Sequence, residues 1–124
     1  MAIQDILTFP HFWVMLIGII LLALSIILVV AHKPKQWLLL HKMFAVTGII
    51  LTIIGLFVLG GLNLFILHGI IGLIVIIWSI SEIIGGIIAT KKKDPNMRKI
   101  HIWLGRILFI FALFVLIFGI LTFI

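Results

Sequence analysis

Residues 64–97 read LFILHGIIGLIVIIWSISEIIGGIIATKKKDPNM. From Leu64 to Ala89 the segment is apolar except for His68, Ser79, Ser81 and Glu82, and it then breaks into Lys91-Lys92-Lys93-Asp94-Pro95. The hydrocarbon core of a bilayer takes about 20 mostly apolar residues in a helix, so this run is long enough to cross it. Three further runs share its character, at about 9–31, 37–60 and 98–124. The first closes on His32-Lys33-Pro34-Lys35, Gly61 to Asn63 make a short turn after the second, and Thr90 to Met97 form a polar loop before the fourth. Inside lipid the backbone must satisfy its own hydrogen bonds, so each run is a helix. Barrel strands are excluded, because polar residues do not recur at every second position. The first run is too long for a cleavable signal and lacks a basic leader, so it is read as a span.

The expected fold is an all-α membrane protein. Short connections make the helices antiparallel neighbours, a single four-helix transmembrane bundle over 1–124 with both termini on one face.

Composition agrees. The 124 residues are 65% hydrophobic and 10% charged, with a mean hydropathy of +1.54. Soluble domains carry about 25% charge, so a water-soluble fold is excluded, as is a disordered chain. Cysteine is absent, which removes disulfides, iron–sulfur clusters and thiol nucleophiles. All nine Lys and Arg, at 33, 35, 42, 91, 92, 93, 98, 99 and 106, belong to the 1–2 and 3–4 connections or the adjoining turns. By the positive-inside rule that face is cytoplasmic and both termini are outside. The net charge of +6 therefore reports topology and lipid contact, not nucleic-acid binding. Trp13, Trp37 and Trp103 fall near helix ends, as an aromatic belt requires.

The chain has five histidines against three acidic residues, and four of them, His11, His41, His68 and His101, each begin a different span. His68 is followed by Gly72, Ser79 and Gly86 at offsets of 4, 11 and 18, and His101 by Gly105, Ala112 and Gly119 at the same offsets. His11, Gly18 and Ser25 match His41, Gly48 and Gly55 at offsets of 7 and 14. At 3.6 residues per turn all these positions lie close to the histidine's own direction. Small residues alone are explained by helix packing. A histidine on the same stripe in all four spans is not. A broad flat ligand, axially held by imidazoles and needing no side chains beneath its plane, explains both.

Antiparallel geometry pairs His11 with His68 at the outer level and His41 with His101 at the inner level. The levels are roughly 20 Å apart by helix rise, so a single four-His metal site is excluded. A lone zinc ion wants four ligands, whereas haem needs two. Two bis-histidine haems, one near each surface, are the economical assignment, with iron held by His11, His68, His41 and His101. Gly48, Gly55, Gly72, Gly86, Gly105 and Gly119 are then the small residues facing them. His32, beside Lys33 and the Pro34 turn, is expected to be a solvated loop histidine.

Trp37-Leu38-Leu39-Leu40-His41-Lys42, Leu67-His68-Gly69-Ile70-Ile71-Gly72 and Lys99-Ile100-His101-Ile102-Trp103-Leu104-Gly105-Arg106 resemble the helix-start motifs of the cytochrome b561 family. Pro10-His11 with Met15 and Gly18 is similar to the start of its first core helix. The resemblance covers nearly the whole chain and corresponds to the four-helix haem core alone. It implies two b-type haems on the ligand pairs named above. It also implies transmembrane electron transfer, often from cytoplasmic ascorbate to monodehydroascorbate or ferric iron outside. Where ascorbate-using members carry a lysine three residues before the second-helix histidine, this chain has Leu38. A quinol or a redox protein is an equally open donor, and an exposed apolar bundle allows a homodimer.

Glu82 is the only acid deep in a span. It is read either as a proton acceptor near the inner haem or as a structural partner of Arg106, Ser79 or Ser81. Lys42, Lys99 and Arg106 are candidate partners for inner haem propionates, whereas outside only polar groups such as Asn63, Thr8 and Gln4 are available. On that count the inner haem has the higher potential. Two other functions compete with the electron carrier. One is a small proton-coupled transporter using Glu82, and the other is a haem-bearing anchor subunit of a quinone-linked complex.

Overall fold

Two prolines open helices, and two residues in left-handed conformation close the helices that precede them. The computed structural model describes residues 3–58, 60, 61 and 64–124, without the side chains of Ile3 and Phe123. A single turn, α1 (Ile3–Ile6), precedes four long helices: α2 (Pro10–Ala31), α3 (Trp37–Val58), α4 (Leu67–Lys92) and α5 (Pro95–Phe123). Pro10 and Pro95 sit at first-turn positions, where the missing N–H has no intrahelical partner to lose. His32 (φ 53°) ends α2 and Lys93 (φ 51°) ends α4.

The stretch from Thr90 to Met97, expected to be a polar loop, is almost entirely helical. Only Lys93 and Asp94 separate α4 from α5. Lys91 and Lys92 lie in the last turn of α4, where the carbonyl end of the helix dipole favours cations. The Asp94 carboxylate then accepts from the Asn96 backbone N–H at 2.8 Å and caps α5. At the other end of the molecule α3 stops at Val58. There Gly61 N–H donates to Leu56 O (2.8 Å) and Gly60 N–H to Phe57 O (3.0 Å), a Schellman closure. Gly60 and Gly61 take φ of +88° and +108°, which only glycine adopts without strain.

Each long helix is long and apolar enough to cross a membrane. The 22 residues of α2, for example, rise about 33 Å against a hydrocarbon core of about 30 Å. The helices form two antiparallel hairpins, α2–α3 and α4–α5. Each hairpin is packed tightly within itself and touches the other only lightly, α2 against α5 and α3 against α4. In the α2–α3 seam the backbones meet: a Cβ at Gly18 would stand 3.0 Å from Gly48 O, and one at Gly48 2.9 Å from Gly18 O.

What faces inward is mostly small or polar, including Ser25, Thr52, Gly55, Ser79, Glu82, Ala112 and Gly119, while Ile17, Ile27, Val30, Ile110 and Leu121 face outward. That inverts the arrangement of a soluble protein and suits a bundle whose surroundings are lipid. The fold is thus the expected all-α bundle of four membrane-length helices.

Candidate functional site

Each of the four span-opening histidines is set against a polar group on the other helix of its own hairpin. His11 Nδ1 lies 2.8 Å from Gly55 O. His41 Nδ1 lies 2.7 Å from Ser25 Oγ and 3.1 Å from Ser25 O. His101 Nδ1 lies 2.8 Å from Glu82 Oε2. His68 faces the backbone carbonyl of Val115. The polar group always belongs to the residue fourteen places after a histidine: Ser25 after His11, Gly55 after His41, Glu82 after His68, Val115 after His101.

Helix geometry accounts for this repeat. Fourteen residues rise about 21 Å and return to nearly the same face. In an antiparallel hairpin that point stands level with the partner helix's histidine. The small residues at these stripes therefore seat the neighbouring helix's imidazole. A Cβ at Gly119 would stand 2.6 Å from His68 Cε1, and one at Gly86 would stand 3.0 Å from His101 Cε1. Gly55 lies against Met15, with a Cβ there 2.6 Å from Met15 Sδ and 3.7 Å from His11 Nδ1.

The histidines also meet between hairpins. The rings of His41 and His101 have centroids 6.4 Å apart and planes inclined by 75°. At the other end His11 and His68 line one cavity of about 220 Å³ that runs between the hairpins. Its walls include Gly72, Ser79, Ala112 and Gly119 from the small-residue stripes, with Met15 and Thr52 beside them. Gly72 has open space on its Cα, with no atom within 4 Å of a built Cβ. Among the described residues no three His, Asp or Glu side chains converge on one metal-sized point. The histidines come together as two pairs at two levels.

Several residues have other roles than their spacing suggested. Gly48 was expected on the ligand-facing stripe, but it lies in the α2–α3 seam against Gly18 and Leu22. Glu82 does not pair with Arg106. Its carboxylate reaches across to His101, and Gly105, whose Cβ would stand 3.6 Å from Glu82 Oε2, leaves room for it. Arg106 is exposed and holds its guanidinium carbon 5.3 Å from the centre of the Trp103 ring, one turn earlier on α5. Ser79 and Ser81 donate instead to Val75 O and Ile77 O of their own helix.

Lys42 and Lys99 are exposed near the basic end. The Thr8 hydroxyl donates to Asp5 O at 2.6 Å, Gln4 is exposed, and Asn63 lies outside the described residues. His32 is exposed, stacked edge-on to Trp37 at 4.6 Å.

Val115 escaped the sequence reading because its contribution is a backbone carbonyl, which no side-chain pattern marks. The shared offset of fourteen was the available signal. Comparison with protein-family models, with curated proteins and with solved structures gives no match.

Proposed function

We propose that the chain is a transmembrane electron carrier of the cytochrome b561 type, holding one haem between His11 and His68 and a second between His41 and His101. The observation that carries this reading is the fixed pose of the imidazoles. Metal-ligating histidines almost always commit their second ring nitrogen to a carboxylate, carbonyl or hydroxyl, which fixes tautomer and ring orientation. Nδ1 of His11 and of His41 is so committed, leaving Nε2 as the ligating nitrogen, and Nδ1 of His101 lies 2.8 Å from the Glu82 carboxylate. Metal–imidazole bonds run about 2.0–2.1 Å. Two imidazoles that held one metal between them would have centres about 6 Å apart, a span that the 6.4 Å between the rings of His41 and His101 would accommodate.

Among the described residues no group of three or more His, Asp or Glu converges at either level, so a cofactor that brings its own equatorial nitrogens suits the two pairs. When bound there, haem supplies a one-electron iron couple. The protein's part is to ligate, orient and exclude water. Ser25 and Glu82 hold the imidazoles at the basic end, and the Gly55 and Val115 carbonyls hold those at the end bearing the termini. Gly86 and Gly119 let the rings approach the neighbouring helix closely, while Gly72 and Ala112 keep the cavity open. The outward-facing Ile, Leu and Val side chains keep both levels within lipid.

With the basic end cytoplasmic, the carrier takes single electrons from ascorbate, a quinol or a redox protein on that side. It delivers them to an acceptor such as ferric iron outside. Lipid vesicles enclosing an impermeant one-electron donor test this. With the wild-type chain, external ferricyanide should oxidise the enclosed donor. Vesicles carrying H41A or H68A should not transfer electrons, and equal rates in all three would contradict the proposal.

A further inference from the structure

Building on the two-haem proposal, we infer that Glu82 lowers the midpoint potential of the basic-end haem below that of the other, and so gives the wire a direction. The four anchors are chemically unequal. His11 meets a peptide carbonyl, His68 faces another, and His41 meets the hydroxyl and carbonyl of Ser25. Only His101 meets a carboxylate, at 2.8 Å. A carboxylate oxygen 2.8 Å from Nδ1 sets negative charge directly against the ring, which raises the basicity of the ligating nitrogen. A more electron-rich ligand stabilises ferric over ferrous iron, and the potential falls.

The opposing influence is the cluster of cations at the same end, which by itself raises the potential. Geometry decides between them. Lys42, Lys99 and Arg106 are exposed, so their charges are screened by water and salt, and Arg106 is turned onto Trp103. The Glu82 side chain is only 12% exposed and acts through direct contact with a ligand. Interaction energy scales inversely with distance and dielectric, so the buried carboxylate outweighs the solvated cations. This reverses the order that counting cations suggests. Electrons given up by a one-electron donor at the basic end then come to rest preferentially at the terminal end. A one-electron acceptor there balances the transfer.

Site-resolved potentiometry on the haem-loaded protein tests the inference. H68A, which retains only the basic-end pair, should titrate at the lower of the two wild-type midpoints. E82Q should raise that lower midpoint by at least a tenfold change in its one-electron reduction constant, about 59 mV, and leave the upper one in place. E82D, which keeps the charge, should stay closer to wild type than E82Q. If H68A titrates at the upper midpoint, or E82Q moves the upper midpoint or neither, the inference is overturned while the haem carrier stands. Should E82Q shed the basic-end haem, the H68A titration decides alone. A wild-type chain that binds no haem overturns the carrier itself.

Discussion

The imidazole of His68 rests directly on Gly119: a Cβ there would stand 2.6 Å from His68 Cε1 and 3.0 Å from its Nδ1. The corresponding contact of His101 on Gly86, at 3.0 Å to Cε1 and 3.6 Å to Nδ1, is looser. G119A should therefore displace His68 and remove one haem, halving the haem per chain with the other band intact. G86A should cause a smaller loss at the opposite end. Haem-to-protein ratios of the two purified variants give the comparison, and equal, wild-type ratios would contradict it.

The ligand pairing makes a cross-helix prediction. H11A and H68A should each lose the same haem, and H41A and H101A the other, although the members of each pair sit in different hairpins. Difference spectra of the four variants should fall into two identical pairs. A grouping by hairpin, His11 with His41, would show that the relation between hairpins is different.

Ser25 holds His41 through two atoms, its hydroxyl at 2.7 Å and its carbonyl at 3.1 Å. S25A removes the first and spares the second. Loss of such an outer anchor typically costs 10–100-fold in metal-site affinity, and the remaining carbonyl places S25A near about tenfold. Haem titration of the apoprotein, followed by absorbance, reads this directly.

The contact between Gly18 and Gly48 belongs to the fold and not to the site. A methyl group at Gly48 would meet the Gly18 carbonyl at 2.9 Å, and backbone cannot swing aside. G48A should destabilise the protein by about 1–3 kcal/mol, the usual cost of overpacking. Thermal or denaturant unfolding in detergent should show the loss, with both midpoint potentials unchanged in the folded fraction.

The spans were legible because lipid imposes a composition: no other environment tolerates runs such as that from Leu64 to Ala89. The histidine levels were legible too, since helix rise converts sequence offset into depth. Less legible were contacts decided by a rotamer. Glu82 is placed by the sequence on the inward face of its helix, but whether it reaches Arg106 or His101 depends on side-chain direction across the α4–α5 seam. The role of the small residues was hidden for a related reason. Gly48, Gly86 and Gly119 all sit on a histidine stripe, and only the neighbouring helix reveals that the first meets backbone and the others meet imidazoles. The connection between α4 and α5 was hidden by its polarity, since Lys91 and Lys92 belong to a helix end as readily as to a loop.

The most direct test of the central claim is the visible spectrum of the purified chain, produced with ample haem and measured before and after dithionite. Two b-type haems per chain predict a low-spin bis-histidine spectrum whose α-band sharpens on reduction, with a pyridine haemochrome assay returning two haems per polypeptide. A colourless preparation, or haem bound at a stoichiometry that H11A, H41A, H68A and H101A leave unchanged, would contradict it.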